Sequence, residues 1–156
     1  METVRKAMLK AATFFTLGIC LSLAISSALA VIVTGPEYNF TIGSYACTNQ
    51  SRAITNAIQN GTRFEGYGTI SVKPAAQTGH VGSQSIIYDS ANNQYVMKGT
   101  WSYSDRSNIG SWESLVWYDF PTGHKGSYFC QSESAVWNGT GYTKQVTYGT
   151  PNITIN

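Results

Sequence analysis

The chain has 156 residues, 42% of them hydrophobic and only 12% charged, with ten basic side chains against eight acidic ones. Three of the basic residues and one of the acidic ones fall within residues 1–30, so residues 31–156 carry seven of each and no net charge. That balance removes any electrostatic case for nucleic acid or an anionic membrane as partner, and it argues against a polyanion.

The first thirty residues read as a secretory signal peptide. Arg5, Lys6 and Lys10 precede an uncharged stretch from Ala11 to Val33, and Ala28-Leu29-Ala30 puts small residues where a peptidase cutting after Ala30 needs them. The same stretch is long enough to span a bilayer as an uncleaved anchor. Ser26 and Ser27 dilute it just before the cut, which favours removal. The expectation is a leader over 1–30 and one secreted, extracellular domain over 31–156 that does not cross a membrane.

The exported part is rich in Tyr, Trp, Thr, Ser, Val and Gly, and Leu115 is its only leucine. Helices draw on Leu, Ala, Glu and Lys, whereas β-branched and aromatic side chains suit a pleated surface. An all-β fold follows. Cys20 leaves with the leader, so Cys47 and Cys130 remain. In an oxidising compartment they are expected to form one disulfide. It would close a loop of more than eighty residues and contribute about 4–5 kcal/mol. Two free thiols are the alternative.

Tyr38-Asn39-Phe40-Thr41-Ile42 alternates like a first strand. Cys47 to Gln59 is ambiguous, because Ala53, Ile54, Ala57 and Ile58 recur at helical spacing, yet Ile54 and Ile58 also share a strand face. The surrounding Thr and Asn, weak helix formers, favour the strand. Gly68 to Lys73 predicts a strand stopping at Pro74. Ser83 to Asp89 and Gln94 to Tyr103 predict a hairpin around Ser90-Ala91-Asn92-Asn93. In its second arm Tyr95, Met97, Trp101 and Tyr103 face one way and Val96, Lys98, Thr100 and Ser102 the other. Glu113 to Tyr118 predicts a further strand. Ser127 to Trp137 and Tyr142 to Tyr148 flank Asn138-Gly139-Thr140-Gly141, a strong hairpin cue. Short strands evenly spaced between turns point to an antiparallel β-sandwich or small barrel.

Two resemblances attach to particular segments. Gly79-His80-Val81-Gly82-Ser83-Gln84-Ser85-Ile86-Ile87-Tyr88-Asp89, then Trp101-Ser102-Tyr103, Gly126-Ser127-Tyr128-Phe129 and Val136-Trp137-Asn138-Gly139-Thr140-Gly141-Tyr142, resemble small uncharacterised secreted β-proteins of Gram-positive bacteria. The resemblance covers roughly residues 79–151 and implies a bacterial β-domain without implying an activity. Gly99-Thr100-Trp101-Ser102-Tyr103, Val116-Trp117-Tyr118 and His124-Lys125-Gly126-Ser127 are similar in order to motifs of lactococcin 972-like bacteriocins, exported β-sandwich toxins of the cell envelope. This chain departs from them in its length, its cysteine pair and the lack of a second His near Trp117.

Catalytic chemistry finds little footing. His80 and His124 each sit beside Gly in turn-like contexts, without the helical spacing of zinc motifs. The carboxylates Glu37, Glu65, Asp89, Asp105, Glu113, Asp119 and Glu133 include no pair, such as Glu113 with Asp119, that spacing alone sets across a sugar. No nucleophile elbow and no phosphate-cradling loop occur. The chain is therefore expected to be no enzyme and to need no cofactor or metal. The aromatics are more suggestive, since Tyr and Trp faces stack on sugars and dominate protein hot spots. The dense segment around Trp112 and Trp117, with Trp137, is the candidate binding patch, and an extracellular protein or glycan the expected partner. Core packing and cross-strand pairing are the competing use of these rings. Three functions remain as expectations: a secreted non-enzymatic binding protein, an envelope-directed antibacterial toxin, and, unsupported by any motif, a small hydrolase. Asn39, Asn49, Asn60, Asn138 and Asn152 all lie in N-x-[ST] sequons.

Overall fold

A computed structural model describes residues 30–156; the expected leader, except Ala30, lies outside the described residues. Eleven strands and no helix occur among them: β1 (Val31–Thr34), β2 (Tyr38–Ile42), β3 (Tyr45–Ile58), β4 (Gly61–Ala76), β5 (Val81–Asp89), β6 (Gln94–Lys98), β7 (Ser102–Tyr103), β8 (Ile109–Pro121), β9 (Gly126–Trp137), β10 (Tyr142–Val146) and β11 (Ile153–Ile155). Consequently no helix of the described residues is long and apolar enough to cross a membrane. Two antiparallel sheets face each other. The first runs β1-β3-β4-β8, with β2 following β1 along the same edge of β3. The second runs β10-β9-β5-β6, with β11 also on β9 and β7 also on β5.

The ambiguous stretch after Cys47 is strand, as its Thr and Asn content favours, and it alternates buried and half-buried along β3. Several boundaries differ from the sequence reading, two of them for identifiable reasons. Strand β4 passes through Pro74, because the register against β8 shifts between Ser71 and Ala76 and no ladder donor is needed at that irregularity. The strand expected over Gln94 to Tyr103 breaks after Lys98. There Gly99 N–H donates to Ser85 O at 2.9 Å, and the chain crosses to Leu115 and Val116 of β8 before rejoining β5 as β7. Strands β1 and β11 are too short to show a period in sequence.

Two apolar clusters fill the interior. One holds Phe64, Ile87, Val116, Phe120, Tyr128 and Cys130, the other Ile70, Val72, Val81, Ile109, Val136 and Cys47. Between them lies a polar waist. The cross-strand row Ser51–Gly68–Ser114 of the first sheet faces Ser83, Ser85 and Ser132 of the second. Ser114 Oγ donates to Ser83 Oγ at 2.9 Å and, with its one proton so used, accepts from Ser85 Oγ at 2.7 Å, while Ser83 donates to Gly68 O at 2.7 Å. Each such bond contributes about 1 kcal/mol net, and each hydroxyl would be costly left alone at this depth. Glycine makes the approach possible: a Cβ on Gly68 would lie 2.4 Å from Ser132 Cβ, and one on Gly66 2.8 Å from Cys130 Sγ.

That arrangement overturns the disulfide. Cys47 and Cys130 are buried free thiols in different clusters. Cys130 lies against Gly66, whose partner on β3 is Ala53, six residues from Cys47. At a strand's rise that is about 20 Å, far beyond the reach of an S–S bond. The two cysteines stand in opposite sheets, on β3 and β9, but at different heights. The Cys130 thiol is pushed up to about 11 by burial, so it stays protonated and unreactive at neutral pH.

Candidate functional site

The three tryptophans expected to form a patch occupy three separate environments. Trp112 and Trp117 are five residues apart on β8 and therefore point to opposite faces of the first sheet. Trp112 turns inward, half-buried against the core, with its indole N–H donating to Ser102 O and Oγ at 3.0 and 3.1 Å. Trp117 turns outward, 52% exposed, with the Arg63 guanidinium 6.0 Å from its ring centre. Trp137 belongs to the outer face of the second sheet, on the far side of the molecule.

Around Trp137 the fold assembles a different set of rings. The Asn138–Gly141 turn brings Tyr142 directly opposite Trp137, and the two rings pack edge to face at 5.3 Å. Tyr103 of β7 lies 4.9 Å from Tyr142 and stacks on Trp101 at 5.8 Å. His80 follows at the other end, its ring 6.3 Å from that of Trp137. The series Trp101–Tyr103–Tyr142–Trp137–His80 is thus continuous across one face.

Its floor explains why it exists. Gly82 on β5 pairs with Ala135 on β9, and Tyr103 lies over Gly82 so closely that a Cβ there would meet the ring at 2.6 Å. Small residues beneath let the rings lie along the sheet instead of standing off it. Backbone ties hold the rest: Tyr142 OH donates to Gly79 O at 2.6 Å, and Trp137 N–H donates to His80 O at 2.8 Å. In the turn, Asn138 Oδ1 accepts from the N–H groups of Thr140 and Gly141 at 3.0 Å, while Gly139 takes φ +104°. Burial, then the nearby Tyr142, pushes the Tyr103 hydroxyl above its ordinary range, so it remains a neutral donor.

Beside His80 the series opens into a cleft of about 240 Å³ between the Gly43-Ser44 turn, Tyr45 at the start of β3, Trp137 and the Asn138-Gly139 turn. It is smaller than a drug-sized pocket and suits one compact polar unit. His80 Nδ1 lies 3.3 Å from Tyr45 OH there. A larger concavity, about 420 Å³, lies along β2, β3 and β4 of the first sheet and includes Phe40, Thr48 and Lys73. It has no comparable ring series, so the smaller cleft carries the functional argument.

The remaining sequence candidates do not converge. His80 precedes the start of β5, whereas His124 packs on Phe120 and Tyr128 beside the end of β5, about 27 Å away at eight strand residues. Glu113 and Asp119 share the outer face of β8 but stand about 20 Å apart, each engaged by an arginine. No three His, Cys, Asp or Glu side chains among the described residues come together as a metal site would require. Comparison with protein-family models, curated proteins and solved structures finds no match for this chain.

Period-2 alternation puts Trp101 and Tyr103 on one strand face, as the stacked rings are, but does not join them to Tyr142 or Trp137. The turn at Asn138-Gly139 did announce that Trp137 and Tyr142 are partners. The pairing of β7 with β5, which brings Trp101 and Tyr103 alongside, has no local signal.

Proposed function

We propose that the chain is a secreted, non-enzymatic β-sandwich that binds glycans through the outer face of its second sheet. One observation carries the reading: five ring side chains form an unbroken series over a glycine–alanine floor and end at a cleft edged by polar groups. Aromatic faces pack on the C–H faces of sugars, and a few fixed donors and acceptors then set orientation. Tyr142 is 43% exposed and available for such contact. Secretion is supported by the basic start, apolar run and Ala28-Leu29-Ala30 of the leader.

Titrating the purified protein with a panel of oligosaccharides, read by tryptophan fluorescence and calorimetry, tests the reading. Trp137→Ala should weaken binding about tenfold or more, the scale of a central interface aromatic. Trp117→Ala, on the opposite face, should leave it unchanged. Absence of glycan binding, or equal sensitivity to the two substitutions, refutes the assignment.

A further inference from the structure

We infer that the sugar bound by this face is acidic, carrying one carboxylate that Lys144 receives; the inference rests on the glycan reading above. Lys144 stands on β10 opposite Ala135, which is opposite Gly82, so its stem extends beside the small-residue floor. Its ammonium lies 4.6 Å from the centre of the Trp101 ring. A cation held at an aromatic face fixes a charge at the end of the stacking surface.

The use of charge elsewhere in the molecule gives this position its meaning. Arg52 and Arg63 on the first sheet are bound to Glu113 and Asp119, while Lys73, Lys98, Arg106, Lys125 and Lys144 make no ion pair with a described residue, and of these five only Lys144 lies over an aromatic ring. Lys144 is also exposed. Glu133, the carboxylate nearest in register, lies opposite Val146, two pairs further along the ladder, and no salt bridge joins it to Lys144 among the described residues. A pyranose stacked on Tyr103 and Tyr142 would bring a ring substituent toward Lys144, where a carboxylate gains a charge-assisted hydrogen bond. A single cation matches a single hexuronate unit and not a dense polyanion, in keeping with the zero net charge of residues 31–156.

The decisive experiment compares two probes by calorimetry: a hexose–hexose disaccharide and its counterpart with one hexose replaced by hexuronate. The purified protein should bind the hexuronate form about five- to tenfold tighter in low salt, with the advantage shrinking toward ~1 M salt. Lys144→Gln should abolish that preference, so that the two probes bind with equal affinity. Trp137→Ala should weaken both. Equal affinity of the unaltered protein for the two probes, or a preference that survives Lys144→Gln, overturns the role of Lys144 and leaves the platform standing. Binding of neither probe overturns the platform and the acidic-sugar inference together.

Discussion

The two outer faces of the sandwich are built from similar residues and use them in opposite ways. On the first sheet, Arg63 grips Asp119 through two bonds of 2.7 and 2.8 Å, Arg52 reaches Glu113 at 3.6 Å and covers the Tyr67 ring at 4.4 Å, and Thr69 donates to Glu113 at 3.0 Å. Tyr67 donates to Glu65 at 2.7 Å; burial first, and that carboxylate second, push its hydroxyl up to about 12. These polar groups serve one another. On the second sheet the rings pack together, while Lys144 pairs with no described carboxylate and the cleft beside His80 stays open. What separates the faces is the floor: Gly82–Ala135 recesses one, whereas the paired Tyr67 and Leu115 fill the same kind of position on the other.

Breaking what the faces share should give the largest effect. Gly68→Val puts branched carbon where even a Cβ meets Ser132 Cβ at 2.4 Å, forcing the sheets apart at the waist. Overpacking of this kind should cost about 3 kcal/mol or more in urea denaturation. Both faces should suffer together, so glycan binding should fall with stability. Gly82→Val is the selective counterpart. It displaces the Tyr103 ring and crowds the Ser102 carbonyl, which a Cβ would meet at 3.1 Å, without wedging the two sheets apart, and should cost about 1–2 kcal/mol. Binding should nevertheless drop sharply, while the Arg–carboxylate contacts of the first sheet persist. Equal damage to stability from the two glycine substitutions would erase the distinction between a shared waist and a private floor.

The contrast was only partly legible in the sequence. Composition revealed the all-β class, and period-2 alternation with the Asn138-Gly139 turn the β9–β10 hairpin, because residue preference and turn geometry are local properties of the chain. The cysteines show the limit. Compartment and count favoured a bond, but pairing depends on height within the sandwich, which register alone determines, and it sets Cys47 and Cys130 in different clusters. Both thiols should resist iodoacetamide in the native protein and react in urea without reductant, as read by intact mass. Failure to react in urea would restore the bridge. The aromatic patch was misplaced for a related reason. Trp112 and Trp117 are close in sequence, yet alternation sends them to opposite faces, while Trp101 joins Tyr142 only through the non-local pairing of β7 with β5.

The smallest effect belongs to the face that is already satisfied. Arg63, chiefly through its hydrogen bonds to the carboxylate, holds Asp119 below its ordinary value of 3.8. A carboxyl depressed in the folded state stabilises that state above the unfolded value, and the contribution disappears as pH falls through the folded one. Asp119→Asn should therefore be slightly less stable than the unaltered protein at neutral pH and low salt. The gap should close below the ordinary aspartate range, and again near 1 M salt, because both partners are solvent-exposed and screened. Glycan affinity should not change at any of these conditions. A loss of affinity in Asp119→Asn would mean that the two faces communicate through the serine waist, and the separation between a self-contained surface and a receptive one would no longer hold.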